Sequence, residues 1–410
     1  MSQDGARQVQ ESEGSAYRVE AAKSDAPPFD SAHLDELMDQ AKLDALIVTS
    51  KHNIQYLLGG YRFFFFDYSD AIGLSRYLPA LAYVRGRPDL ALYIGNGMES
   101  YERDHGKFWV PHLDFTTWST ADSMRIAALH LASLGVPLGR IGLERSFLPA
   151  DAEAALRSAL PHCEYAEAVM TLEELRACKR PEELALVKEA STRVVDAMLA
   201  VFAGHGAGAT KAEIAEALRL EEVMRGLTFE YCLIAAGASR NRAPSDQAWR
   251  EGEVLSLDSG GNYRGYIGDL CRMAILGDPD AELQDILADI DAIQQAARAP
   301  IRPGVTGREI YESAEAVLAR SPHRDGMRFV AHGMGIIPHE APRLSSRAPV
   351  PYPGEYFDAP LRAGMVLSIE TTLPHPKRGF IKLEDTLAVT ADGWEAYGDH
   401  GRGWNRGNSG

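Results

Sequence analysis

The chain has 410 residues, more than one ordinary domain needs and comfortable for two. Lys and Arg total 42 against 58 Asp and Glu, a formal charge of −16 with no basic block, which argues against nucleic acid or an anionic membrane as the main partner. The longest aromatic run, Phe63 to Phe66, falls far short of the ~20 apolar residues of a membrane span. The opening stretch MSQDGARQVQ has no apolar signal core, and Cys163, Cys178, Cys232 and Cys271 form no C-x-x-C pair, so a cytoplasmic location without a disulfide framework or zinc cage is expected.

Residues 1–29 are polar and aperiodic and read as a flexible tail or an arm that packs on a partner subunit. Leu34, Leu37, Met38 and Ala41 mark one face of a helix, and Ala45 to Thr49 reads as a buried strand. Strands are also expected over Leu78 to Val84, Leu90 to Ile94 and Arg140 to Glu144, with helices near 121–134 and 149–159. This is the pattern of a small α/β domain over residues 30–175, followed by a second domain over 176–410. Pro181 is placed to open a long helix carrying Leu184, Val187, Val194, Met198 and Phe202. Thr210 and Glu213 have capping-box spacing for the next helix, and an apolar hairpin follows over Val254 to Leu276, broken at Gly260-Gly261-Asn262. The same order then recurs: a helix through Leu283, Ile286, Leu287, Ile290 and Ile293, a capping pair Thr306 and Glu309, and a hairpin over Met365 to Val389. Two such passes predict a pseudo-twofold α/β domain with a central antiparallel sheet.

Each hairpin carries carboxylates where apolar side chains are expected: Asp258 and Asp269 in the first, Glu370 and Glu384 in the second. Burying four acids in one sheet costs several kcal/mol each unless cations compensate, and Arg272 and Lys382 are too few. His332, in Ala331-His332-Gly333-Met334-Gly335, adds an imidazole. The Asp, Asp, His, Glu, Glu set suits two divalent ions per chain, manganese first, with cobalt, iron and zinc as alternatives.

These five residues, in this order, resemble the ligands of the pita-bread metallohydrolases, the family of methionine aminopeptidases, Xaa-Pro peptidases and creatinase. Further matches are LRACKRPEEL before the second domain, Pro338-His339-Glu340-Ala341-Pro342, Glu384-Asp385-Thr386 and, early on, Asn53-Ile54-Gln55-Tyr56-Leu57. The resemblance implies that Asp258, Asp269, His332, Glu370 and Glu384 bind metal, that Glu370 also carries the proton to the leaving amine, and that His339 holds the substrate carbonyl. It also implies a homodimer.

The chain departs from the family's pattern in several places. Asn241 stands seventeen residues before Asp258, where Xaa-Pro peptidases carry histidine, and Lys382 stands where they carry arginine. Thr371 replaces a proline and Cys271 a threonine. Lysine lacks the planar bidentate grip of arginine, and asparagine does not change charge near neutral pH. Asn241, Lys382 and Arg62, the last beside the Phe63–Phe66 run, are the candidate substrate contacts, and the proline-rich stretch 345–360 is a candidate lid. The expectation is a metal-dependent hydrolase of a C–N bond in a small peptide or small-molecule amide. A lyase on the same scaffold and an inactive binding module are the alternatives.

Overall fold

Ala45–Val48 is apolar at every position, so it needs cover on both faces, and all four residues are buried at the centre of a sheet. The computed structural model describes residues 26–66, 68, 71, 73, 77–345 and 354–408. Most of the arm expected over 1–29, and positions 346–353 of the expected lid, lie outside the described residues.

The first sheet holds six strands in the order β4-β3-β2-β1-β5-β6. They are β1 (Ala45–Val48), β2 (Ala80–Val84), β3 (Arg87–Asn96), β4 (His112–Thr117), β5 (Arg140–Leu143) and β6 (Glu164–Glu167). Helices Thr120–Ser133 and Ala150–Ala159 cover one face through Met124, Ala127, Leu131, Ala152 and Leu156. The other face packs on helix Ser31–Gln40 and shares a core with Tyr266, Ile267, Met334 and Val366 of the second half of the chain.

The second half is a pseudo-repeat. Helices Pro181–Gly204 and Lys211–Met224 precede strands β7 (Thr228–Ala236), β8 (Val254–Tyr263) and β9 (Tyr266–Ile275). Helices Ala281–Arg298 and Gly307–Leu318 precede β10 (Arg328–Gly333), β11 (Val366–His375) and β12 (Gly379–Val389). Thr210 and Thr306 each close the expected capping box with the glutamate three residues on. The strands join in the order β10-β11-β12-β9-β8-β7, so each half supplies three strands and the halves meet where Glu384 opposes Cys271. Short strands β13 (Trp394–Tyr397) and β14 (Asn405–Arg406) pair with β12 and β9.

The first hairpin does not break at Gly260-Gly261-Asn262. These residues lie inside β8, opposite Asp269, Gly268 and Ile267. The turn is Arg264-Gly265, both at positive φ (53° and 97°), as a two-residue hairpin turn requires. Gly260 is in the strand for close packing, because a Cβ there would lie 2.3 Å from Cε1 of Tyr231.

Candidate metal centre

Strand alternation sends every second side chain to one face, and the five sequence-predicted residues come from five adjacent strands. Asp258 is on β8, Asp269 on β9, His332 on β10, Glu370 on β11 and Glu384 on β12. Glu370 stands directly opposite Glu384, while Asp258 and Asp269 are offset by two residues, each diagonal to the other through Cys271 and Gly260. Asp258, Asp269, His332 and Glu384 are buried, and Glu370 is partly exposed.

Asp269, His332 and Glu384 each bring one donor atom to a common point, all within 4.8 Å of one another. His332 Nδ1 lies 3.3 Å from the Gly333 carbonyl, which fixes the ring and leaves Nε2 facing Glu384 at 3.6 Å. The Tyr231 hydroxyl donates to Asp269 Oδ1 at 2.5 Å, and Ser368 Oγ donates to Glu384 Oε1 at 2.8 Å. Both bonds orient the carboxylates from behind.

The electrostatics reflect crowding of negative charge. Burial pushes the Asp269 carboxyl well above the ordinary range, with the charges of Glu384 and Asp258 adding to it. Burial also raises Asp258, against the opposing pull of Lys382. In Glu384 burial acts upward, but Lys382 and His332 outweigh it and hold the carboxyl low. Burial alone would lower His332, yet its close contact with Glu384 and the other surrounding carboxylates push it up to about 9. The cluster therefore attracts positive charge, and its buried carboxylate and imidazole donors fit a divalent cation.

Two further cations enter it. Lys382 Nζ lies 2.7 Å from Asp258 Oδ2 and 2.8 Å from Glu384 Oε2, and it also pairs with Glu370. Arg242 pairs with Asp258, its guanidinium over the ring of Phe380 at 4.5 Å. Arg242 was not anticipated as a partner of the cluster; it sits in a loop without periodicity, and its one signal was its place beside Asn241. Arg272, counted from the sequence as a nearby cation, faces away: its side chain alternates to the far side of β9 and pairs with Asp385 at 3.1 Å.

His339 stacks on His332, ring centroids 3.9 Å apart and 23° between planes, with its edge open to solvent. Its pKa is lowered from the ordinary histidine value, first by desolvation and then by the charge of His332. The remaining candidate contacts are not drawn in. Asn241 is exposed and its Oδ1 accepts from the Ala243 amide, so the side chain closes its own turn. Arg62 is exposed beside the packed rings of Phe63 and Phe65. Lys382, expected at the substrate, is instead engaged by the carboxylates.

A fold of this kind, with acids and a histidine converging from five strands of a pseudo-twofold sheet, defines a metallohydrolase. Residues 185–391 match metallopeptidase family M24 and residues 31–178 match the creatinase/prolidase N-terminal domain; the chain belongs to family M24. It is similar to the peptidase YqhT of Bacillus subtilis, 26% identical over 88% of this chain and 95% of that protein. It is 23% identical to an Xaa-Pro dipeptidase of Pyrococcus horikoshii, over 87% of this chain and 93% of the relative. The crystal structure of the prolidase from Pyrococcus horikoshii OT3 superposes with a TM-score of 0.74 at 22% identity, covering 90% of this chain and 97% of that one. Family membership makes the chain a metallohydrolase and implies a divalent cation.

Proposed function

We propose that the protein hydrolyses the C–N bond of a small peptide or peptide-like amide, with Xaa-Pro dipeptides as the first substrate class to test. The observation that carries this reading is the convergence of Asp269, His332 and Glu384, with His339 stacked at its rim. Asp269, His332 and Glu384 would hold a divalent cation there, which when bound would supply Lewis acidity toward the scissile carbonyl and water.

The chain's own groups do the rest. Glu370, the partly exposed acid of the cluster, takes the proton of the attacking water and delivers it to the nitrogen as the C–N bond breaks. His339, held neutral by its surroundings, donates a hydrogen bond to the substrate carbonyl as negative charge develops on the oxygen. Tyr231 and Ser368 keep Asp269 and Glu384 in place. Asp258 completes the five-residue set expected from the sequence; the pair of ions expected with it is taken up below. A cytoplasmic homodimer, and domains over 30–175 and 176–410, belong to the same proposal. The relatives' printed activities favour a peptide. Asn241 closes its own turn and Lys382 is held by the cluster's carboxylates, which favours a substrate bound without their direct help and so leaves room for a non-proline amide.

The test is an assay on Xaa-Pro dipeptides and simple amides after chelation and again after adding manganese. Cleavage that vanishes with chelation, returns with metal and is absent from Asp269→Asn supports the reading. Metal-independent cleavage would overturn it.

A further inference from the structure

Of the five chemistry-bearing residues, the three that form a group able to hold one ion are Asp269, His332 and Glu384, the one such group among the described residues. Asp258 and Glu370 are already served. Lys382 Nζ lies between them, 2.7 Å from Asp258 and paired with Glu370, while also reaching Glu384 at 2.8 Å. Arg242 pairs with the same Asp258 oxygen, Oδ2. A second divalent ion would draw on the oxygens of these same carboxylates. The lysine ammonium pairs with those carboxylates.

We infer that Lys382 takes the place of a second metal ion, so that the centre binds one divalent ion per chain, at Asp269, His332 and Glu384. The inference rests on the metal-dependent reading above. A lysine is cationic at neutral pH, and an ammonium and a divalent ion cannot share the same carboxylate oxygens without strong repulsion. The Lys382 side chain is only 6% exposed, so its partners are these carboxylates and not water. Charge agrees: Asp258, Asp269, Glu370 and Glu384 are balanced by Lys382, Arg242 and a single divalent ion. The arrangement also has a chemical consequence. Glu370, paired with an ammonium rather than committed to a metal, keeps an oxygen for carrying the proton.

The experiment loads the full-length protein with excess Mn(II), removes unbound metal by desalting, and reads manganese per chain by elemental analysis and the Mn(II) electron paramagnetic resonance spectrum. Wild type is expected to retain one Mn(II) per chain with an uncoupled spectrum. Lys382→Met, checked for folding by circular dichroism, is expected to retain two with exchange coupling between them; Lys382→Gln serves if the methionine variant does not fold. Two coupled ions in the wild type would overturn the inference while leaving metal-dependent hydrolysis intact. A folded variant that still binds one ion would overturn the role given to Lys382. A wild type that binds no metal would overturn the metal-dependent reading and the inference with it.

Discussion

Glu384 and Asp385 are consecutive in β12 yet serve opposite faces of the sheet: Glu384 lies in the carboxylate cluster, while Asp385 is buried behind it among three arginines. Arg272 reaches Asp385 at 3.1 Å and Arg298 at 3.0 Å, and Arg402 from the C-terminal segment closes the group. Arg272 also donates to the backbone carbonyls of Glu384 and Gly398, at 2.8 and 2.7 Å. One acid thus ties β9, β12, helix Ala281–Arg298 and the C-terminal segment together at the point where the two halves of the sheet meet.

Removing that acid's charge strands the buried Arg272, while Arg298 keeps Asp399 and Arg402 keeps Asp291. Asp385→Asn is therefore expected to lower stability by at least ~3 kcal/mol, the cost of stranding buried charge. Denaturant unfolding of wild type and variant checks this. The same variant should weaken Mn(II) binding although Asp385 touches no ligand atom, because β12 sets the position of Glu384. Unchanged stability would mean that the arginines find other partners.

Gly260 allows Tyr231 to cross β8 and reach Asp269. A methyl group at this position would sit 2.3 Å from Tyr231 Cε1, with backbone paired on both sides and no room to yield. Gly260→Ala should cost ~1–3 kcal/mol by overpacking and should displace the tyrosine hydroxyl from Asp269. Tyr231→Phe removes the same hydrogen bond without the clash. Isothermal titration with Mn(II) should show both variants binding more weakly, and only the alanine variant should also melt earlier.

Much of this architecture was legible in the residues. Acids inside otherwise apolar strands are anomalous enough to be found without coordinates, and Thr210 with Glu213 and Thr306 with Glu309 mark helix starts by a local rule that tertiary structure has no reason to override. The repeat, and with it the sheet, follows from those marks. Gly260-Gly261 misled because glycine pairs suggest turns, whereas here they make room for Tyr231, Leu227 and Val194; the true turn signal was the less conspicuous Arg264-Gly265. β4 is half exposed along most of its length and carries little periodic signal. The pairing of Arg242 with Asp258 depends on a loop brought back over β8, which no spacing rule anticipates.

The two halves of the chain are joined by a buried polar chain that makes a further prediction. Glu340, next to His339, accepts from Arg176 at 3.1 Å and Lys179 at 2.9 Å. Arg176 continues to Asn53, and the Asn53 amide donates to Glu144 at 2.5 Å. Glu144 also accepts from the Thr49 and Ser50 amides, at 2.7 and 2.8 Å. Glu340→Ala strands two buried cations, a loss of ~3–5 kcal/mol concentrated at the junction. Calorimetry should then resolve two transitions where the wild type shows one, since each sheet keeps its own core. A single transition at the wild-type temperature would show that the apolar contacts of the junction suffice without the network.

Glu222 gives the protein a pH dependence separate from the metal cluster. It is fully buried on helix Lys211–Met224, where Oε1 accepts from Ser259 at 2.7 Å and Oε2 has no hydrogen-bond partner among the described residues. Burial pushes its carboxyl up to about 7 from 4.5; the Ser259 bond offsets part of this and the charge of Glu230 adds to it. The folded protein thus holds a proton at Glu222 between these two values that the unfolded chain has released. Its contribution to stability is complete below about 4.5 and is lost as the pH rises through about 7. The loss amounts to at most ~3 kcal/mol. Glu222→Gln keeps the shape and removes the titration, so its stability relative to wild type should be greater at about pH 8 than at about pH 5. Urea unfolding of both proteins at the two pH values, at equal metal loading, measures that difference. An identical gap at both would place the titrating carboxyl elsewhere.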